Sequence, residues 1–299
     1  GVVSDGVALG TVVGGEGQLG STISELSASC GFAEFRVTRM EELDLSSEKN
    51  VKNFMSSVDF DYVVNCAAYT AVDKAETERE TARTINALAP GWIARYAKEK
   101  GAGIIHISTD YVFGGNANTP LAPDMPTAPS SVYGATKLEG EKLVAEANPR
   151  HLIIRTSWLY SRYGNNFVKT MLRLAGEREE LSVVYDQVGA PTYADDLAGA
   201  ILKILEVGSH NDKAFIPGIY HYSNLGVCSW YDFARAIFTF AGRNTRVKPI
   251  LSAEYKTAAT RPSFSVLDSS SIRKTYNIEI PYWTDSLKKC LEEFGEIGC

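Results

Sequence analysis

Short apolar runs alternate with helical patterns from Ala8 to Thr156, and a glycine-rich turn sits at the first junction between them. The runs are Ala8–Val13, Glu34–Thr38, Asp61–Cys66, Gly103–Ser108 and His151–Thr156. Most of their residues are apolar without a polar alternate, the pattern of strands buried on both faces. Helices are expected between them, over Gln18–Ser29, Glu48–Ser57, Thr77–Lys100 and Ser131–Ala147. Such alternation builds a parallel sheet covered on both sides, with right-handed crossovers. The predicted fold class is therefore α/β, a Rossmann-type doubly wound parallel sheet.

After Ser157 the rhythm loosens. Helices are expected over Asn165–Ala175, Asp195–Glu206, Trp230–Phe240 and Thr284–Phe294, and strands over Ser182–Tyr185 and Gly218–Ser223. We read residues 1–160 as an NAD(P)-binding domain. Residues 161–299 are mainly a smaller C-terminal substrate-binding lobe, interleaved with the first. The Pro-rich stretch Thr119–Pro129 is too short to divide domains and reads as a loop over a site. With 299 residues the chain can bury a large core. Its net charge of −6 argues against nucleic-acid binding. No apolar run reaches the length of a membrane span. Five scattered cysteines without CxxC spacing suit a reduced, cytoplasmic protein, and four histidines form no metal-ligand cluster.

The first turn reads Val13-Gly14-Gly15-Glu16-Gly17-Gln18-Leu19-Gly20. Gly14, Gly17 and Gly20 allow a tight turn and let backbone N–H groups approach a pyrophosphate at the start of a helix, with Gln18 and Leu19 in its first turn. The end of the second strand should face the adenosine ribose, where a carboxylate favours NAD. Glu34 lies too early for that part. Arg39 follows the strand and suits a 2′-phosphate, which favours NADPH and leaves NADH open; a solvated surface arginine is the competing reading. Asp44 and Leu45 lie where a loop caps the adenine. The third run ends in Ala67 and Ala68, small enough for a dinucleotide to lie against the backbone.

A hydroxyl residue, Thr109, ends the fourth run, and Tyr133 and Lys137 follow it with YxxxK spacing. Four helical residues bring Tyr133 and Lys137 onto one face. An ammonium about 4 Å from a phenolate is worth roughly 4 kcal/mol at an effective dielectric near 20. That is enough to lower the Tyr133 pKa by about 3 from its usual 10. Tyr133 would then move a proton near neutral pH while Thr109 hydrogen-bonds the same carbonyl oxygen. Tyr96 and Lys100 share the spacing but lie in a charged helix with no hydroxyl residue beside them, an ordinary helix face.

These residues resemble the extended short-chain dehydrogenase/reductase family, and within it the dTDP-4-dehydrorhamnose reductases. The resemblance rests on Gly17–Gly20, Asn65–Glu76, Ser108–Phe113, Tyr133–Glu141, Arg155–Tyr160, Asp186–Thr192 and Arg261-Pro262. It implies NAD(P)H-dependent reduction of the C4 ketone of a dTDP-sugar. Tyr133 would be the proton donor, Lys137 its modulator and ribose anchor, and Thr109 the polariser of the ketone. Asp110, Trp158, Val72 and Arg261 would meet the sugar nucleotide. For Trp158 a core aromatic, and for Arg261 a structural salt bridge, are competing readings. Tyr69 and Thr70 extend the cofactor edge begun by Ala67 and Ala68, and Thr70, Val72 and Asp73 match a loop beside the site. Relatives use Mg²⁺ with a Glu two residues after the last glycine. Thr22 stands there, so Mg²⁺ or a metal-bridged dimer is doubtful, while a homodimer stays open. Gly10 interrupts the first strand and is expected to weaken it. Two other functions remain open: a non-catalytic NADP-binding regulatory subunit like that of methionine adenosyltransferase, and a sugar-nucleotide epimerase or dehydratase.

Overall fold

A computed structural model of the chain describes residues 7–297, and Cys299 lies outside them. Along the first half run β1 (Ala8–Val13), α1 (Gln18–Ser27), β2 (Ala33–Val37), α2 (Glu48–Ser57) and β3 (Tyr62–Asn65). Next come α3 (Val72–Ala75), α4 (Arg79–Arg83), α5 (Ala89–Glu99), β4 (Gly103–Thr109), α6 (Val132–Ala147) and β5 (His151–Thr156). The second half holds β6 (Leu159–Tyr160), α7 (Phe167–Ala175), β7 (Glu180–Val184), β8 (Val188–Gly189), β9 (Thr192–Tyr193) and α8 (Ala194–His210). It closes with β10 (Gly218–Tyr222), β11 (Cys228–Ser229), α9 (Trp230–Phe240), β12 (Arg246–Ile250), α10 (Ser270–Tyr276) and α11 (Trp283–Glu293).

Among the described residues the central sheet has six strands in the order β10-β5-β4-β3-β1-β2, all parallel. The chain turns one way from β1 to β2 and the other way from β3 onward. Hence the switch point lies between β1 and β3, where open α/β sheets bind ligands. Successive residues of each strand feed opposite faces. Val12, Val64, Ile105 and Ile154 pack against α1, α8 and α10. Val13, Val63, Ile104 and Ile153 pack against α2, α5 and α6. A third apolar cluster joins α7, α9 and α11 to β7.

Two expectations change. The helix expected over Thr77–Lys100 is broken: a π-helical turn, Thr84–Leu88, separates α4 from α5. Pro90 has no N–H to give the Asn86 carbonyl, and the backbone widens there. The strand expected over Gly218–Ser223 forms as β10 and pairs with β5 on the edge of the central sheet, and α8 packs on the same sheet. The other change is that Gly10 leaves β1 regular. The Phe35 ring of β2 lies over it, 2.7 Å from where a Cβ would stand, so the small residue makes room for an aromatic one.

Candidate active site

The phosphate turn is shaped by contacts that exclude side chains. Gly14 has φ +81°, and a Cβ there would lie 2.6 Å from the Ala67 nitrogen after β3. The turns after β1 and β3 therefore touch, backbone to backbone, at the switch point. A Cβ on Gly20 would meet the Gly14 carbonyl oxygen at 2.2 Å. Gly17 caps α1 without any side-chain acceptor, and a Cβ on it would meet only the Gly14 carbonyl oxygen, at 3.6 Å. The first turn of α1 thus has no side-chain cap to compete with an incoming anion for its N–H groups. These are the features a dinucleotide pyrophosphate needs, so the residues present fit the cofactor.

Other sequence-predicted cofactor residues take more local partners. The Gln18 side chain reaches away from the turn: its Oε1 accepts from Ser161 Oγ at 3.0 Å and Asn166 Nδ2 at 3.2 Å. It ties the turn to the segment before α7. Leu19 is buried in the core beneath the turn. Arg39 is exposed just after Thr38, whose carbonyl accepts from the Gly15 N–H at 2.9 Å, and so stands beside the turn. Asp44 accepts from Ser46 and Asn50, and these bonds hold its carboxyl below the usual range. Leu45 is half-buried against the α2–α5 core. Thr70 is exposed. Thr22 donates to the Gln18 carbonyl at 2.7 Å.

Tyr133 stands in the first turn of α6. Two contacts fix that turn: Ser131 Oγ accepts from the Gly134 N–H at 3.0 Å, and Glu76 accepts from the Val132 N–H at 2.8 Å. The Tyr111 carbonyl oxygen lies 2.2 Å from where a Cβ on Gly134 would be, so the helix start rests on the turn after β4. That contact brings Tyr133 beside Thr109, whose hydroxyl is near enough to favour the charged form of the phenol. The Tyr111 and Tyr133 rings meet edge to face, 5.3 Å between centroids. Lys137, one turn further on, is buried.

The electrostatic expectation is corrected here. Burial pushes the Tyr133 phenol up to about 12, with Asp110 adding to the rise and the Thr109 hydrogen bond opposing it. Burial also pushes Lys137 down to about 8, against the pull of Glu141. Desolvation is the largest cause of both shifts, and neither group figures among the causes of the other's, so the attraction that the spacing suggested does not set the Tyr133 pKa. Asp110, also buried, is pushed up to about 6. Its Oδ1 accepts from Thr109 at 3.1 Å, while Oδ2 has no hydrogen-bond partner among the described residues, although the Ser265 hydroxyl is near enough to favour its charged form.

Arg261 grips Asp73 through both its terminal nitrogens, at 2.9 Å each, and so joins the loop after β3 to the C-terminal segment. This is the salt bridge that competed with a substrate role, and both partners keep some exposure. Val72 is half-buried at the start of α3. Trp158, two residues past β5, is half-buried with φ 50° and stacks on Trp230. Tyr96 and Lys100 make the ordinary helix-face contacts expected of them, with Glu48 and the Val58 carbonyl.

The family described as the RmlD substrate binding domain matches residues 11–296. The chain belongs to that family. A dTDP-4-dehydrorhamnose reductase of Sinorhizobium fredii is 44% identical over 250 residues, 82% of this chain and 84% of that protein. One from Escherichia coli is 43% identical over 256 residues, 84% and 85% of the two chains. Among solved structures, a dTDP-4-dehydrorhamnose reductase of Clostridium acetobutylicum has a TM-score of 0.90 at 39% identity and covers 96% of this chain and 99% of its own. Another, from Bacillus anthracis in complex with NADP, has a TM-score of 0.89 at 37% identity, with the same coverage.

In this RmlD-family chain, sequence reasoning missed several residues that hold the site together. Asn86, fully buried in the π-helical turn, accepts from the Tyr69 N–H at 2.8 Å and donates to the Tyr69 carbonyl and to Thr136 of α6. It locks the loop after β3 to the helix that carries Tyr133 and Lys137. Tyr69 itself turns its hydroxyl to Glu78. Only the Asn86-x-x-x-Pro90 pattern, a buried amide before a helix-breaking proline, signals this in the sequence. Glu76, the last residue of the VDKAE segment, caps the start of α6 across 56 residues, a contact that no spacing within the segment signals.

Proposed function

We propose that this chain is an NADPH-dependent dTDP-4-dehydrorhamnose reductase. It reduces the C4 ketone of dTDP-4-dehydro-6-deoxy-L-mannose to dTDP-L-rhamnose, a step of nucleotide-sugar synthesis. The observation that carries the reading is the placement of half-buried Tyr133, at the start of α6, beside buried Thr109 at the carboxyl end of β4, with buried Lys137 one turn behind it. The reductases that this chain resembles and the NADP-bound structure support it.

The cofactor, when bound, supplies the hydride. Gly14, Gly17 and Gly20 and the first turn of α1 hold its pyrophosphate, and Arg39 takes the 2′-phosphate. Ala67, Ala68, Tyr69 and Thr70 line its path across the switch point. Thr109 orients the ketone oxygen. Tyr133 gives that oxygen its proton. With its pKa pushed up to about 12, Tyr133 stays protonated at neutral pH, the form that reduction requires. Lys137 presents its ammonium to the nicotinamide ribose from a fixed position. Asp110, Trp158, Val72 and Arg261 bound the sugar end. The described cysteines, Cys30, Cys66, Cys228 and Cys290, are free, which fits a reducing compartment, and we place the protein in the cytoplasm.

The test is NADPH absorbance decay with enzymatically generated dTDP-4-dehydro-L-rhamnose, with NADH in parallel. Oxidation that depends on the sugar and yields dTDP-L-rhamnose supports the reading. NADPH binding without oxidation would point to a regulatory subunit or another keto sugar. Stoichiometric, tightly held NAD⁺ on the purified protein would point to an epimerase or dehydratase.

A further inference from the structure

Trp158 has φ 50°, a left-handed conformation that a bulky residue keeps only where its surroundings impose it. The imposition is visible on both sides. Ser157 Oγ donates to the Ala190 carbonyl at 2.7 Å, and the Trp158 carbonyl accepts from the Thr192 N–H at 3.0 Å. With the backbone pinned, the indole is placed by its side-chain torsions and by whatever its ring meets.

The ring meets Trp230. The two indoles stack face to face, 3.7 Å between centroids and 14° between planes. Trp230 is in turn buttressed by Phe167, 4.8 Å away, and begins α9, whose capping box at Ser229 and Asp232 fixes its backbone. The edge of the Trp158 ring lies over Gly189, where a Cβ would be 2.9 Å from Cζ2 and equally close to Ser265 Oγ. Ser265 is the neighbour of Asp110, which follows Thr109. The indole therefore belongs to the wall that holds Thr109 and Asp110, and it is only half-buried there.

We propose that Trp230 is a positioning residue that holds the Trp158 indole in place against the sugar of the bound substrate. The proposal rests on the reductase reading, because that reading puts the sugar beside Trp158. Trp230 does not touch the reacting atoms. It sets the plane of a ring that would otherwise swing about its side-chain torsions, and so it governs substrate affinity more than the chemical step.

Two readouts test this. Stacked indoles give an exciton couplet in circular dichroism. The wild-type protein should show one, and W158F and W230F should each abolish it. In steady-state kinetics W230L keeps apolar bulk but loses the flat face. It should raise KM for the keto sugar about tenfold with kcat and NADPH affinity little changed. W230F restores a flat partner and should recover most of the lost affinity, which a purely space-filling role does not predict. A wild-type KM in W230L, or no couplet in the wild-type protein, overturns the proposal. A wild-type protein that binds NADPH but leaves the keto sugar unreduced overturns the reductase reading, and the sugar-facing part of this proposal with it. Turnover by the wild type with unaltered W230L kinetics overturns this proposal alone.

Discussion

Lys137 donates from Nζ to the Ile107 carbonyl oxygen at 2.7 Å, so the buried ammonium is anchored to β4 two residues before Thr109. The cation is held in place at an electrostatic cost. Its pKa falls from 10.5 to about 8 because burial disfavours the charge. A pKa depressed on folding means that the unfolded chain binds more protons between those values. Stability should therefore rise as pH climbs from about 8 towards 10, and the stabilisation is lost as pH falls back through 8. The full shift corresponds to about 3 kcal/mol. Urea midpoints across this window should rise for the wild type relative to Lys137→Met, which has no proton to lose. Parallel curves for the two proteins would mean that Lys137 is not held in this state.

Tyr133→Phe removes one hydroxyl and keeps the ring that packs edge to face on Tyr111. NADPH affinity, read by fluorescence titration, should stay within about twofold, since the phosphate turn is untouched. Turnover should fall by roughly 10²–10⁴, the usual worth of a positioned proton donor. Retained turnover would mean that another group, with Asp110 the nearest candidate, protonates the product.

Much of this site was legible because its chemistry is carried by short-range spacing. Tyr133, Gly134 and Lys137 share a helix turn, and Gly134 is small for a reason the structure supplies, the Tyr111 carbonyl against it. The phosphate turn was legible for the same cause. The rest depends on partners distant in sequence. Nothing within Gly218–Tyr222 says that it pairs with Leu152–Thr156. Pro90 marks the break at Thr84–Leu88 in the sequence, but Asn86 reaching Tyr69 and Thr136 rests on contacts that helical periodicity does not encode. The direction of the Tyr133 pKa turned on burial, which belongs to the folded site and not to the YxxxK spacing.

Arg39 is exposed beside the turn that holds Gly15, while the neighbouring Arg36 is the one that pairs with Glu42. If Arg39 reads the 2′-phosphate, Arg39→Ala should weaken NADPH binding about 10- to 100-fold, the worth of a charge-assisted hydrogen bond or two. NADH lacks that phosphate and should bind unchanged. Dissociation constants for both nucleotides decide the matter: equal losses would make Arg39 a general surface charge.

Arg155 and Glu141 form an ion pair at 2.7 Å with both side chains nearly inaccessible, at 3% and 2% exposure. Glu141 lies one turn beyond Lys137 and also accepts from Ser108, beside Thr109. Arg155 donates onward to the Pro123 carbonyl and to Nε2 of His221, whose Nδ1 donates to the Leu121 carbonyl. Burial and the guanidinium push that imidazole down to about 3, so it is neutral and can accept at Nε2. The pair thus ties the helix of Lys137 to the Pro-rich loop at Pro123. Removing one partner strands a buried charge, so Arg155→Met should cost about 3–5 kcal/mol of stability, read from urea denaturation. Replacing both, as Glu141→Leu with Arg155→Met, removes the stranded charge and should recover most of that loss. Activity should not recover with it, because the Pro123 carbonyl loses its Arg155 donor in either case. A double variant that regains stability and turnover together would show that the network serves folding and leaves the site loop indifferent.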